Sequence, residues 1–328
     1  MASGGERPGL TYSGFMPDDA ADASPLTQTL AVPAPARLRL AQYELVRQVG
    51  AGAMGAVFQA RDVDLERWVA IKLLHAETGG DADPTRIERF FREARSAAQL
   101  SHPNVAQVYQ VGQHEGRPFI AMEWLDGLDL SAWVKQHGPM PWPEALMAIG
   151  DAAAALVAAH TAGLVHRDIK PSNLVRLRSG QVKVVDFGLA RRASADAELT
   201  ATGTLLGTPA YLSPEQCMGG EATPLSDLYA LGCTLVHLLT GSAPFEATSA
   251  VQVLHKHVYE PMPDITRRVA GLPPSLLRLL ERATAKPPTQ RHASAAELQA
   301  EVHALLDGLS LGGGIVRAPD PVNAAPPT

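Results

Sequence analysis

Two stretches decide the fold of this 328-residue chain: His166-Arg-Asp-Ile-Lys-Pro-Ser-Asn173 and Val182-Lys-Val-Val-Asp-Phe-Gly188. The first places a carboxylate (Asp168), a cation (Lys170) and an amide (Asn173) within six residues, and its proline keeps it from being a helix interior. The second is a β-branched run that predicts a short strand, followed by Asp186 and a turn at Phe and Gly. The sequence therefore predicts two loops whose carboxylates and amide converge on one metal-bearing polyphosphate.

A glycine-rich segment precedes these loops. Tyr43-Glu-Leu-Val-Arg-Gln-Val49 and Ala56-Val-Phe-Gln-Ala-Arg61 read as strands around Gly50-Ala-Gly-Ala-Met-Gly55. Glycines at this spacing let the backbone approach a polyphosphate with its N–H groups facing the oxygens, but dinucleotide-binding loops have the same spacing. A dinucleotide loop would open a helix, whereas here β-like runs follow, ending in Trp68-Val-Ala-Ile-Lys72. The order therefore favours a phosphate-binding loop within a small β-sheet.

These blocks together resemble the glycine-rich, catalytic and metal-binding loops of eukaryotic-type protein kinases. Lys170 is typical of the serine/threonine type, and the glycine-rich segment is similar to that of bacterial members. The resemblance implies an α+β fold with two lobes: a small antiparallel β-sheet lobe with helix C over 43–124, and a larger, mainly helical lobe over 125–308. Residues 1–42 and 309–328 are predicted to be disordered tails.

The resemblance also implies a role for each residue of the site. The catalytic group is expected to comprise Asp168, which orients and deprotonates the substrate hydroxyl, Lys170, Lys72, and Glu93 of a predicted helix over 84–100. Asn173 and Asp186 are expected to bind Mg²⁺, with Mn²⁺ as an alternative. ATP is expected to contact Val49, Gly50, Ala51, Gly52, Ala53, Met54, Gly55, Ala56, Val57, Ala70, Lys72, Met122 (the gatekeeper), Glu123, Leu125 and Leu174.

The segment after Gly188 is expected to regulate the enzyme and bind protein substrates. The family resemblance makes Arg167 part of a pocket for a phosphorylated residue, and Thr200 and Thr202 the autophosphorylated positions, with Ser194 and Thr204 as further candidates. Residues 207–215 resemble the peptide-binding loop. The resemblance further implies that Asp227 holds the catalytic loop and that Arg291 pairs with Glu215. His160 and His166 are expected to be structural.

The composition of the chain limits its expected cellular location and binding partners. The net charge of −6 gives no basic field that would favour nucleic acid, and no run of about eighteen apolar residues predicts a membrane span. The two cysteines, Cys217 and Cys233, have no metal-ligand spacing. We therefore expect a cytoplasmic protein whose partners are ATP and proteins with Ser or Thr acceptors. A homodimer that phosphorylates itself in trans is compatible with the family.

Two other functions remain as alternatives. A small-molecule phosphotransferase shares the fold and a similar catalytic loop, but it lacks the peptide-binding segment over 207–215. A kinase-fold scaffold with weak or no catalysis would usually have lost one of Lys72, Glu93, Asp168, Asn173 or Asp186, and all five are present.

Overall fold

The computed structural model describes residues 38–52, 55–74, 84–187 and 209–310. Within them, the strands are β1 (Arg39–Leu40), β2 (Tyr43–Gly52), β3 (Gly55–Asp62), β4 (Arg67–Leu74), β5 (Val108–His114), β6 (Arg117–Glu123), β7 (Gly127–Asp129), β8 (Leu174–Leu177) and β9 (Val182–Val184). The helices are α1 (Pro84–Ala98), α2 (Leu130–His137), α3 (Trp142–Thr161), α4 (Pro214–Cys217), α5 (Pro224–Thr240), α6 (Ala250–Tyr259), α7 (Pro274–Ala283) and α8 (Ala295–Ser310).

The small lobe is a six-stranded antiparallel sheet with the order β1-β2-β3-β4-β6-β5. Apolar side chains alternate along these strands, so one face of the sheet is buried. Tyr43, Ile71 and Phe119 pack there, and the rings of Tyr43 and Phe119 meet edge to face at 5.9 Å. The glycine-rich strands β2 and β3 and the strand that carries Lys72, β4, are therefore neighbours in one sheet.

The large lobe is built around the apolar helices α3 and α5. Helix α3 packs against both α5 and α8. By length and composition α3 could cross a membrane, but more than half of it is buried inside the protein, as in a core helix. Gly232 lets α5 approach α7 closely, because a Cβ there would lie 2.7 Å from Cγ2 of Thr284. The large lobe therefore has a dense core beneath the catalytic loops.

A second sheet, β7-β8-β9, carries the two loops that bear the predicted catalytic residues. Strand β8 follows the first loop, and β9 ends two residues before Asp186. The segment before β5 is fixed to β9, since Ala106 N donates to Val184 O and Val184 N donates to Asn104 O. A buried side chain adds to this contact, because Asn104 Nδ2 donates to Val182 O at 2.8 Å. These bonds connect the small lobe to the strand that presents Asp186.

The predicted two-lobed α+β fold is confirmed, and the differences lie at element boundaries. Ordered structure begins before Tyr43, because Arg39–Leu40 pairs with β2 and Leu40 is buried. Helix α8 continues to Ser310, past the predicted end of the kinase domain at 308. Sequence patterns did not predict the short elements α2, β7 and β8. Residues 1–37 and 311–328 of the predicted tails lie outside the described residues.

Candidate active site

The catalytic loop holds the Asp168 carboxylate between a cation and an amide. Lys170 Nζ lies 2.7 Å from Asp168 Oδ2, and Asn173 Nδ2 donates to the same oxygen at 3.0 Å. Asn173 Nδ2 also donates to the Asp168 carbonyl at 2.7 Å, across a short 3₁₀ turn over Pro171–Asn173. The structure thus brings three predicted residues together and leaves the side chain of Asp168 about one-third exposed, where a substrate could reach it.

Asp227, at the start of α5, holds the backbone that leads into this loop. Its Oδ1 accepts from Arg167 N at 2.7 Å, and its Oδ2 accepts from His166 N and from His160 Nε2, both at 2.8 Å. Arg167 has a φ of 73°, which is unfavourable for a residue with a side chain. The buried carboxylate therefore holds a strained backbone in place. This geometry agrees with the structural roles expected for Asp227 and His160.

His166 uses both ring nitrogens to fix the two loops. Its Nδ1 accepts from Asp168 N at 3.2 Å, and its Nε2 donates to the carbonyl of Val185 at 2.9 Å. Its ring also contacts that of Phe187 edge to face at 4.7 Å. Because a backbone carbonyl only accepts and a backbone N–H only donates, these contacts specify the neutral Nε2–H tautomer. His166 therefore supports the loops and has no nitrogen available for acid–base chemistry.

Asp186 makes an ion pair with Lys72 that the sequence did not predict. Lys72 Nζ lies 2.8 Å from Asp186 Oδ1. Burial alone would raise the pKa of Asp186, but the charge and hydrogen bond of Lys72, with a smaller effect of the charge of Lys170, hold it below its usual value. Asp186 has a φ of 63°, an uncommon backbone conformation that an aspartate tolerates better than most residues. The site thus keeps an ionised carboxylate at the base of the small lobe.

The predicted Lys72–Glu93 pair stays a prediction. Glu93 lies on α1, as expected, but its side chain is outside the described residues. The phosphorylation candidates Ser194, Thr200, Thr202 and Thr204, and the first two residues of the peptide-binding segment 207–215, are also outside them.

The glycine-rich strands pair to within two residues of each other. Gly50 lies opposite Val57, Ala51 opposite Ala56 and Gly52 opposite Gly55, so strand pairing continues into the predicted turn, of which Ala53 and Met54 lie outside the described residues. Gly55 is required by its surroundings: it has a φ of 156°, and a Cβ would lie 1.9 Å from Leu73 O. The backbone of β3 therefore lies directly against β4, the strand that carries Lys72.

The predicted adenine site has an apolar lining in the small lobe. Ala70 and Met122 pair across β4 and β6 and pack in one cluster with Val57. A cavity of about 20 Å³, enough for one water, lies behind Met122 and reaches Asp186 and Phe187. Of the remaining predicted contacts, Val49 is exposed on β2, Leu125 is partly buried after β6, and Leu174 is fully buried in the large-lobe core.

An ion pair was missed from the sequence at the end of β6, the hinge where the chain passes from the small lobe to the large lobe. Lys183 Nζ donates to Glu123 Oε1 at 2.7 Å and Oε2 at 2.8 Å, and Gln107 N donates to Oε2 at 3.2 Å. The only signal in the sequence was a lysine between two β-branched residues of a buried strand. Because side chains alternate along a strand, this lysine points to the face opposite its two neighbours. Nothing local indicated its partner, which is sixty residues away.

The segment that follows residue 208 is anchored to the large lobe at two points. Arg291 makes two parallel bonds to Glu215, both 2.8 Å long, and Ser226 Oγ donates to Glu215 at 2.7 Å. This confirms the predicted contact of Arg291 with Glu215. A second anchor was not predicted: the hydroxyl of Tyr211 lies 2.8 Å from His237 Nδ1 on α5.

Known proteins share this arrangement. Residues 43–303 match the protein kinase domain family. The serine/threonine-protein kinase PrkC of Bacillus subtilis is 39% identical over 266 residues, covering 81% of this chain and 41% of PrkC. The serine/threonine-protein kinase PknB of Mycobacterium tuberculosis is 42% identical over 267 residues, covering 80% of this chain and 42% of PknB. The chain thus spans about two-fifths of the length of these relatives.

Solved structures agree with the sequence matches. The crystal structure of the Mycobacterium tuberculosis PknI kinase domain (C20A mutant) has a TM-score of 0.65 at 30% identity, covering 82% of this chain and 97% of that one. Rad53 1-466 in complex with AMP-PNP has a TM-score of 0.67 at 22% identity, covering 79% of this chain and 64% of that one, and it supports the fold alone. From its fold, its catalytic loops and these relatives, the chain belongs to the protein kinase family, among the eukaryotic-type serine/threonine kinases of bacteria.

Proposed function

We propose that this chain is an active serine/threonine protein kinase that transfers the γ-phosphate of ATP to hydroxyl groups of proteins. One observation carries the proposal: Asp168 is held by Lys170 and Asn173 close to the loop that presents an ionised Asp186 to Lys72. Phosphoryl transfer needs a fixed γ-phosphate, neutralised charge and an aligned hydroxyl. The described residues offer a side chain for each requirement.

The nucleotide is proposed to lie between the lobes. Backbone N–H groups of the glycine-rich segment 50–55 would face the phosphates, since Gly55 keeps the strand free of a side chain there. Lys72 would bind the α- and β-phosphates by exchanging part of its contact with Asp186, and Glu93 would support it. Adenine would pack on Val57, Ala70 and Met122 and bond to the backbone near Glu123 and Leu125.

The family uses a divalent metal, and we propose Mg²⁺, with Mn²⁺ as an alternative. The donors fit such an ion, because Asn173 has committed its amide nitrogen to Asp168 and keeps its amide oxygen, while Asp186 is ionised. Among the described residues no group of three or more acidic, His or Cys side chains could hold a metal alone. This suits Mg²⁺, which takes one or two carboxylates and completes its shell with phosphate and water. The bound ion would neutralise phosphate charge.

Asp168 is proposed to align the acceptor hydroxyl and take its proton late in the reaction. Lys170, already 2.7 Å from Asp168, would stabilise the transferring phosphoryl group. Protein acceptors are favoured over small molecules because the segment ending at Glu215 is fixed to the lobe through Arg291. That anchored segment would form a binding surface for a polypeptide beside the catalytic loop.

We further propose that the enzyme is switched by autophosphorylation at Thr200 or Thr202. Arg167, held in place by Asp227, would supply a guanidinium for the phosphate. Transfer between two copies of the chain is the proposed route, so a homodimer is the expected partner. The proposal implies that the two lobes face the cytoplasm, where ATP is available.

The test is transfer of label from γ-labelled ATP with Mg²⁺, followed by mapping of the phosphorylated residues. We expect the wild-type chain to label itself at Thr200 or Thr202 and to label a generic protein substrate, and Asp168→Asn to do neither. Asp307→Asn, the same change on an exposed residue of α8, should behave like wild type. Label that appears only on a small-molecule acceptor, or bound ATP without any transfer, would contradict the proposal in favour of the two alternatives.

A further inference from the structure

A groove of about 460 Å³ lies in the large lobe between residues 246–248 and helix α6. The proposed reaction uses none of its side chains. Its charged and polar lining consists of Glu246, Thr248, Gln252, His255, Lys256 and Glu260.

Most of the polar groups in this groove satisfy one another. Lys256 lies 3.7 Å from Glu260 one helical turn away, and Thr248 Oγ1 donates to Gln252 at 3.0 Å. Glu246 is exposed and makes no ion pair with any residue that the structure describes. Because Lys256 is balanced by Glu260, and with His255 counted as neutral, the groove keeps a formal net negative charge at Glu246. The groove is therefore complementary to a cation.

The groove lies close to the segment that would present a substrate peptide. Helix α6 packs directly against Pro209–Tyr211, the first described residues of the peptide-binding segment. Burial raises the pKa of Tyr211 and lowers the pKa of His237, and it is the largest cause in each case. The negative charge of Glu246 raises both pKa values. The charge of Glu246 therefore acts on both residues of the Tyr211–His237 contact.

We propose that Glu246 is a specificity-determining residue that binds a Lys or Arg side chain of the protein substrate, at a position flanking the phosphorylated residue. The inference rests on the proposed kinase function and adds the chemistry of the substrate to it. A polypeptide lying on 209–211 passes beside α6, and a basic side chain entering the groove finds the one carboxylate there that has no described cationic partner. An Arg could make two parallel charge-assisted bonds to it.

Peptide arrays with one acceptor Ser or Thr test this directly. Each peptide places a single Lys, Arg or Glu at one flanking position in an otherwise neutral sequence, and kcat/KM is measured for wild type, Glu246→Gln, Glu246→Lys and Glu281→Gln. Glu281→Gln is the matched control, since it removes the same charge from an exposed position on α7. Sedimentation of each variant reports whether the groove binds a second copy of the chain instead.

We expect wild type to prefer a basic residue at one position by about two- to fivefold, as for a solvent-exposed ion pair. The preference should disappear in Glu246→Gln through a rise in KM, with kcat unchanged, and should invert toward Glu in Glu246→Lys. Glu281→Gln should keep the wild-type preference. Gain of selectivity for an acidic residue in Glu246→Lys would distinguish recognition from a general effect of charge.

Four results would overturn the inference. An unchanged basic preference in Glu246→Gln, or no basic preference in wild type, would leave Glu246 as a solvated surface residue while the kinase function stands. A change in self-association without a change in peptide selectivity would assign the groove to a second copy. If wild type phosphorylates no peptide or protein at all, the proposed function fails as well.

Discussion

Lys183 and Glu123 form an ion pair, 2.7 and 2.8 Å long, that ties the hinge at the end of β6 to the strand that leads to Asp186. The side chains are 14% and 26% exposed, so water screens the pair only partly. The pair therefore couples the position of the small lobe to the loop that presents the predicted metal ligand.

Removing both partners of this pair should cost less than the sum of the two single removals. We expect Lys183→Met and Glu123→Gln each to lower the free energy of unfolding by about 1–2 kcal/mol, because each leaves a partly buried charge or acceptor without its partner. The double variant should lose less than the sum, with a coupling of about 1 kcal/mol. Denaturant unfolding of the four proteins measures this, and strict additivity would show that the pair contributes nothing.

Asp227→Asn should impair catalysis through the backbone of the catalytic loop. An asparagine can keep an oxygen toward His160 and His166, but its amide nitrogen then faces the N–H of Arg167. The loss of that bond at a strained residue should lower stability by about 1–3 kcal/mol and kcat at least several-fold. KM for ATP should change little, since Asp227 contacts no predicted nucleotide residue. Wild-type kcat in a folded Asp227→Asn protein would contradict the proposed support.

Gly55→Ala should weaken nucleotide binding. A Cβ at this position would overlap Leu73 O, so β3 must move away from the strand that carries Lys72. Gly116→Ala is the matched control, because Gly116 also has a positive φ, 78°, but has open space around it. We expect KM for ATP to rise at least tenfold in Gly55→Ala and to stay unchanged in Gly116→Ala. Equal effects of the two substitutions would assign the loss to backbone strain alone.

The Glu215–Arg291 contact should make stability depend on acid pH. Burial alone would raise the pKa of Glu215, but hydrogen bonds from Arg291 and Ser226 lower it to about 2, from an ordinary value of 4.5. Because the folded-state pKa is depressed, the stabilisation is complete above about pH 4.5 and is lost as the pH falls from there through about 2. The shift corresponds to about 3 kcal/mol.

Glu215→Gln tests this pH dependence. Its stability should change less steeply than that of wild type between pH 4.5 and the acid limit, since the titrating carboxyl is absent. Parallel curves for the two proteins across that range would show that another group controls acid unfolding. Denaturant midpoints measured at half-unit pH steps provide the comparison.

Local patterns in the sequence predicted the loop residues that the structure brings together at the candidate site. The spacing of Asp168, Lys170 and Asn173 within one loop, and of the glycines over 50–55, carries chemistry that short segments can show. The small-lobe strands alternate clearly enough to be predicted within a few residues. The helix over 84–100 was also predicted, and it appears as Pro84–Ala98.

Contacts between distant segments could not be predicted in this way. The residues of the Glu123–Lys183 pair are sixty positions apart and those of the Tyr211–His237 pair are twenty-six apart. The sequence around each of these residues contains no motif that indicates its partner. The positive φ values of Arg167 and Asp186 arise because the surrounding fold holds them there. Strands as short as Gly127–Asp129 have too few residues for alternation to be recognised.

In the proposed reaction, Asp168 acts on the acceptor hydroxyl and not on the nucleotide. Single-turnover transfer to a protein substrate, measured beside the Kd for Mg²⁺–ATP, tests it most directly in wild type, Asp168→Asn and Asp186→Asn. We expect Asp168→Asn to bind Mg²⁺–ATP as wild type does but to transfer phosphate at least about a hundredfold more slowly, whereas Asp186→Asn should lose metal-dependent affinity. Near-normal transfer by Asp168→Asn, or an equal loss of nucleotide binding in both variants, would contradict it.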